Sequence, residues 1–379
     1  MKKLSIIIFS LLLIILVAGC TETKTTKKEN KKYIKDYEVE ESIFKDSYKD
    51  AYKLVTDMTI EERIAQMFLV RYDKIYPNKY KEYSPGGYIL FAKDFQEQTK
   101  ESIKKELDNA NQLNKYPLVF AVDEEGGYVT RVSRFTSFRS EKFKSPKAYY
   151  EEGGEELLKQ TEKEKAELLK SIGINLNLAP VADVSTNEDD FMYIRTFGRN
   201  ATETSELVKK MVEYANDNKI NSCLKHFPGY GNNEDTHTGV AIDNRDYKDI
   251  SENDYLPFKK GIEAGVPCVL VSHNVINSID SEYPASLSGK VIYELRNKLN
   301  FTGIIMTDDL AMDAVKSYVQ DGEAATLAIN SGNDMIITSD FETMYNEVLN
   351  SYKEGRISEE TINKAVLRII AWKYNSNLF

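Results

Sequence analysis

Short apolar runs recur along this chain with longer amphipathic stretches between most of them, and that alternation restricts it to a small set of folds. The runs are Met67–Val70, Tyr88–Phe91, Leu118–Val122, Leu176–Leu178, Ser222–Leu224, Cys268–Val271, Ile304–Met306 and Met335–Ile337, eight strand candidates. Among the stretches between them, Gln98–Leu113, Glu155–Ser171, Glu203–Asn216 and Ser286–Leu299 carry apolar residues at helical spacing, as does Phe341–Tyr352 after the last run. Strand followed by helix, eight times over, predicts an α/β chain forming a (β/α)₈ barrel in one catalytic domain. A doubly wound open sheet is the competing fold.

The polar residues favour the barrel. Asp123 follows the third run, Asp183 the fourth, Lys225 and His226 the fifth, His273 the sixth, and Asp308 with Asp309 the seventh. Barrel enzymes gather their reacting groups at the C-terminal ends of the strands, because the βα loops converge there around one pocket. A single Asp at such a place serves equally well as a helix N-cap, but five strands behaving alike are hard to explain as caps.

Histidine narrows the chemistry. Only three occur, and two of them, His226 and His237, share a short stretch with Lys225 and Asp235. A chain this poor in imidazole concentrates proton transfer there; a solvated histidine in a Gly/Asn-rich loop is the plainer alternative. His273 is either a pocket-rim residue or a structural histidine. There is no HExxH pair, and Lys225 beside His226 would repel a cation, so neither a metal nor a cofactor is expected. The formal charge of −10 argues against nucleic acid as a partner.

The N-terminus reads as an address. Lys2 and Lys3 precede an apolar run from Leu4 to Val17 that ends in Val17-Ala18-Gly19-Cys20. This resembles a bacterial lipoprotein signal, which implies cleavage before Cys20, lipid on Cys20, and a protein anchored on the extracellular face of the cytoplasmic membrane. Residues 1–19 are then signal peptide, the Lys/Thr/Glu-rich residues 20–45 a flexible tether, and residues 46–379 the barrel domain. The other cysteines, Cys223 and Cys268, lie in apolar runs and read as core residues.

Five motifs together are specific. Ala121-Val122-Asp123-Glu124-Glu125-Gly126-Gly127, Asn177-Leu178-Ala179-Pro180-Val181-Ala182-Asp183-Val184, Arg195-Thr196-Phe197-Gly198, Lys225-His226-Phe227-Pro228-Gly229 and Gly303-Ile304-Ile305-Met306-Thr307-Asp308-Asp309-Leu310-Ala311-Met312 resemble glycoside hydrolase family 3. Their order and spacing are most similar to its single-domain β-N-acetylhexosaminidase branch, from about Met58 to the C-terminus.

The resemblance implies a retaining exo-β-N-acetylglucosaminidase that acts on non-reducing terminal GlcNAc, in cell-wall muropeptides or other β-GlcNAc glycosides, as a monomer. It implies Asp308 as nucleophile and the Asp235/His237 dyad, on a loop that swings over substrate, as general acid and base. Asp123, Arg131, Arg195, Lys225 and His226 would grip the sugar hydroxyls. The residue types suit these roles: an ionised carboxylate attacks an anomeric carbon, and an aspartate two residues before a histidine can fix its tautomer. Asp309 is the better candidate for a cap. Tyr230, Glu124 and Tyr128 depart from the family pattern, where His, Gln and Arg are common. The competing functions are a phosphorylase or another family 3 β-glycosidase, and a non-catalytic sugar-binding surface lipoprotein.

Overall fold

Strands buried on both faces read as unbroken apolar runs, and each of the eight runs becomes a strand in the computed structural model. The structure describes residues 42–231, 241–312, 315, 318–319 and 323–379. Its strands are β1 (Phe68–Arg71), β2 (Gly87–Leu90), β3 (Val119–Val122), β4 (Leu176–Asn177), β5 (Asn221–Phe227), β6 (Ile242–Asp243), β7 (Cys268–Val271), β8 (Val275–Ile276), β9 (Ile304–Thr307) and β10 (Ile336–Thr338). Eight of them pair in parallel in the order β10-β1-β2-β3-β4-β5-β7-β9, and a bridge between Met306 and Met335 joins the two ends of that row. The result is a nearly closed (β/α)₈ barrel and not an open doubly wound sheet. The remaining pair, β6 and β8, forms a two-stranded parallel sheet of its own. With two residues each, these strands leave no periodicity to read.

β5 is longer than its apolar run. It continues through Lys225 and His226 to Phe227, with a register irregularity against β7 between Leu224 and Phe227. Reading for apolar residues ends a strand at the first charge, yet in a barrel an alternate residue points inward and can be charged if partners await it.

The helices follow their periodicity. Lys100–Leu113 starts at a Thr99/Ser102 capping box and buries Ile103, Leu107 and Ala110, one face at helical spacing. The helix read as starting at Glu155 begins earlier, at Pro146 behind the Ser145 cap, and is broken at Gly153 and Gly154.

Three helices without a counterpart in the sequence reading, Tyr48–Asp57, Ile60–Gln66 and Glu359–Asn375, cover the N-terminal end of the barrel. Arg63 Nη1 reaches Glu359 at 2.9 Å and Asn363 at 2.8 Å, Trp372 Nε1 donates to Asn221 at the foot of β5, and Lys373 Nζ donates to Gln66 and the Pro117 carbonyl. Phe44 is already buried in the core. With one mouth covered, the opposite end is the one available for chemistry.

Candidate active site

Lys225 projects from β5 to the C-terminal end of β3. Its Nζ lies 2.7 Å from Asp123 Oδ1 and 2.6 Å from Glu125 Oε1. Arg195, at the end of the short turn Tyr193–Arg195, takes the same Glu125 in a two-pronged grip, Nε to Oε2 at 3.0 Å and Nη2 to Oε1 at 2.7 Å. Arg131 stands farther out, its Nη2 3.9 Å from Asp123 Oδ2. Two carboxylates therefore face three cations.

Burial alone would raise the Glu125 carboxyl, but Lys225 and Arg195 outweigh it and hold it at about 2. Burial likewise pulls Lys225 down, and Asp123 with Glu125 more than restores it, so its value lies above that of an ordinary lysine. Glu125 and Lys225 are thus both charged at neutral pH, and with their ion-pair partners they form a set of charge-assisted donors and acceptors suited to a polyol. Arg131 Nε is buried with no hydrogen-bond partner among the described residues, a donor a hydroxyl could satisfy.

His226 completes this floor. Its Nδ1 lies 2.8 Å from Asp183 Oδ2 and its Nε2 3.3 Å from Arg195 Nη2. Arginine has only donors to offer, so Nε2 accepts and Nδ1–H donates to Asp183. Asp183 Oδ1 also accepts the backbone N–H of Tyr230 at 2.8 Å, whose ring stands edge-on to the imidazole with centroids 5.4 Å apart.

Across the barrel, adjacent aspartates at the end of β9 diverge. Asp309 is tied into the structure: Oδ1 accepts from the Ala311 and Ser339 backbone at 2.9 and 3.2 Å, and Oδ2 from Ser339 Oγ at 2.9 Å. Asp308 donates its N–H to the Val271 carbonyl on neighbouring β7, and its half-buried carboxylate accepts from the Asp309 N–H at 2.8 Å. His273 is fully buried; its Nε2–H donates to the Asp309 carbonyl at 3.0 Å and its Nδ1 accepts from Ser286 Oγ at 2.7 Å. Of its two readings the structural one holds, since His273 pins the turn that carries Asp308.

After Lys225 and His226 the chain turns at Gly229 and Gly231, with φ of 119° and 58°. A Cβ on Gly229 would stand 2.4 Å from Asp254 Oδ1, and one on Gly231 2.5 Å from Arg245 Nη2. Arg245 bridges Asp243 and Asp254, at 2.7 and 2.8 Å. Gly229 and Gly231 let the backbone rest directly on an ion-pair network at the stem of residues 232–240. Asp235 and His237 fall within 232–240 and lie outside the described residues, as do residues 1–41, which include Cys20, the expected signal and most of the expected tether.

A profile described as "Glycosyl hydrolase family 3 N terminal domain" matches residues 59–372. The chain belongs to glycosyl hydrolase family 3. It is 30% identical over 275 residues to a beta-hexosaminidase of Nitrosomonas eutropha, covering 70% of this chain and 77% of that one. To beta-hexosaminidase A of Pseudoalteromonas piscicida it is 29% identical over 321 residues, 77% of this chain but 53% of the relative. It superposes with a TM-score of 0.78 and 26% identity on a glycoside hydrolase family 3 beta-N-acetylglucosaminidase from a Paenibacillus species, covering 85% of this chain and 63% of that structure. The chain thus spans about half of one such relative and under two thirds of the other.

Within this family 3 barrel, Asp123, Arg131, Arg195, Lys225 and His226 form one continuous cluster, and Asp308 stands at the same C-terminal end of the strands. Reading the sequence for site residues missed Glu125 and placed Asp183 at a strand end without giving it a role; these two hold that cluster together. Glu125 left a signal, an alternate position two residues beyond Asp123. Glu124 also gains an account: its buried carboxylate accepts the N–H groups of Arg131 and Val132, each at 2.7 Å, and of Ser133 at 3.3 Å, and the Ser133 hydroxyl as well. It thereby fixes the loop that presents Arg131. Tyr128 is 74% exposed.

Proposed function

We propose that this family 3 chain is a retaining exo-β-N-acetylglucosaminidase releasing non-reducing terminal GlcNAc from muropeptides or other β-GlcNAc glycosides. The observation that carries this reading is that Asp308, at the end of β9, stands at the same barrel mouth as the ion-pair cluster of Asp123, Glu125, Lys225 and Arg195 and the His226 imidazole beside it. The relatives named beta-hexosaminidase support the hexosamine specificity.

In this mechanism the floor holds the sugar hydroxyls and the Asp308 carboxylate attacks the anomeric carbon. The glycosidic bond breaks as His237, oriented by Asp235, protonates the departing oxygen. A covalent glycosyl ester remains. His237 then takes a proton from water, water displaces Asp308, and GlcNAc leaves with retained configuration. The lipoprotein-like segment ending in Cys20 supports an enzyme anchored on the outer face of the cytoplasmic membrane, where wall fragments are at hand.

The test is turnover of para-nitrophenyl β-GlcNAc with and without inorganic phosphate, followed by trapping with a fluorinated GlcNAc inactivator and peptide mapping. Release of free GlcNAc in both conditions and a label on Asp308 are expected. Sugar phosphate as the main product, a label elsewhere, or full activity in Asp308→Ala would overturn the reading.

A further inference from the structure

The barrel wall holds a pair of cysteines for which the site has no use. Cys223 of β5 and Cys268 of β7 are register partners on adjacent strands, 45 positions apart in the chain. Neighbouring strands lie about 4.8 Å apart, inside the roughly 4.4–6.8 Å between Cα atoms that a disulfide spans. Both residues are fully buried, and their sulfurs meet at 2.7 Å.

The pair faces the barrel interior. Leu224, the next residue on β5, lies against Gly261 of the surrounding helix Tyr255–Glu263, which turns Cys223 and Lys225 to the opposite side. Two thiols thus touch in the layer directly beneath Lys225.

We infer that Cys223 and Cys268 join as a disulfide when the chain folds in an oxidising compartment, clamping β5 to β7 under the charged floor of the site. The bond forms from an external disulfide, either glutathione disulfide or an oxidoreductase. The thiolate of one cysteine attacks a donor sulfur and expels a thiolate, giving a mixed disulfide. The second cysteine attacks that and expels the other donor half. Two electrons pass from the protein to the donor, and the two protons lost by the cysteines end on the donor's thiols. Burial pushes the Cys268 thiol well above its ordinary value, so the exchange belongs to folding, before the barrel closes over the pair. The closed ring contains Lys225, His226, Gly229 and Arg245, and constrains the segment that leads into residues 232–240.

The inference is independent of the glycosidase reading and is tested without a substrate. The full chain is refolded in a mixture of reduced and oxidised glutathione, denatured, and its free thiols blocked with iodoacetamide. After reduction, newly exposed thiols are labelled with N-ethylmaleimide and read peptide by peptide, which separates Cys20 from the other two. Maleimide on both Cys223 and Cys268, with the two peptides linked to each other in a non-reduced digest, is the expected result. Iodoacetamide on both, or links to Cys20 or to glutathione in place of one another, would overturn it. A parallel sample refolded in excess dithiothreitol should melt about 5 °C lower; equal melting temperatures would remove the clamp.

Discussion

Asp183 holds His226 twice with a single carboxylate oxygen, through the ring Nδ1 at 2.8 Å and through the backbone N–H at 3.1 Å. Its other oxygen takes the Tyr230 N–H. One buried carboxylate therefore sets the tautomer of an imidazole and the start of the chain segment that follows it. Asp183→Asn keeps the volume and removes the charge. We expect kcat/KM for para-nitrophenyl β-GlcNAc to fall about 10- to 100-fold, the loss of one charge-assisted bond. Circular dichroism should report an unchanged fold. A wild-type kcat/KM would show that His226 needs no such support.

Glu125 makes stability depend on acid. Its folded value, about 2, lies below its unfolded value near 4.5, so its contribution is present in full above about pH 4.5 and is lost as pH falls toward 2. That difference is worth about 3 kcal/mol. Urea unfolding across this pH range should show a steeper acid decline in the wild type than in Glu125→Gln. The variant should already be about 3–5 kcal/mol less stable at neutral pH, because Lys225 and Arg195 then share too little negative charge. Parallel pH profiles for the two proteins would contradict the assignment.

Gly229→Ala tests the stem. Its φ of 119° disfavours any side chain, and the added methyl would meet Asp254 at 2.4 Å. A loss of about 1–3 kcal/mol in urea unfolding is expected, together with at least a tenfold drop in kcat, as the stem shifts off its ion-pair bed. Wild-type stability would mean that the stem can move at no cost.

His237→Ala probes the acid step. Activity on para-nitrophenyl β-GlcNAc should fall less, by about 10-fold or more, than activity on a GlcNAc disaccharide, since a phenolate of low basicity leaves with little protonation. Equal losses on the two substrates would dismiss His237 as the general acid.

What the sequence reveals and what it conceals divide along physical lines. The strands β1 to β5, β7, β9 and β10 were legible because strands buried on both faces need apolar side chains throughout. The helices at Lys100–Leu113 and Ala201–Asp217 were legible because one apolar face repeats every three to four residues. The helices at the N-terminal end were not read, although Glu359–Asn375 buries much of its length. There Arg63, Trp372 and Lys373 reach polar groups on distant segments, and such pairings carry no local period.

The same division runs through the site. The sequence alone determined which residues stand at strand ends, and so named Asp123, Lys225, His226 and Asp308, because position along a strand is a one-dimensional property. Only the tertiary structure decided that Glu125 and Asp183 join the cluster, that Asp309 and not Asp308 is tied to Ser339, that His273 is structural, and that Gly229 lies on Asp254. Each of these depends on which side chain meets which across the barrel, and a buried charge is tolerated only where its partners converge in space.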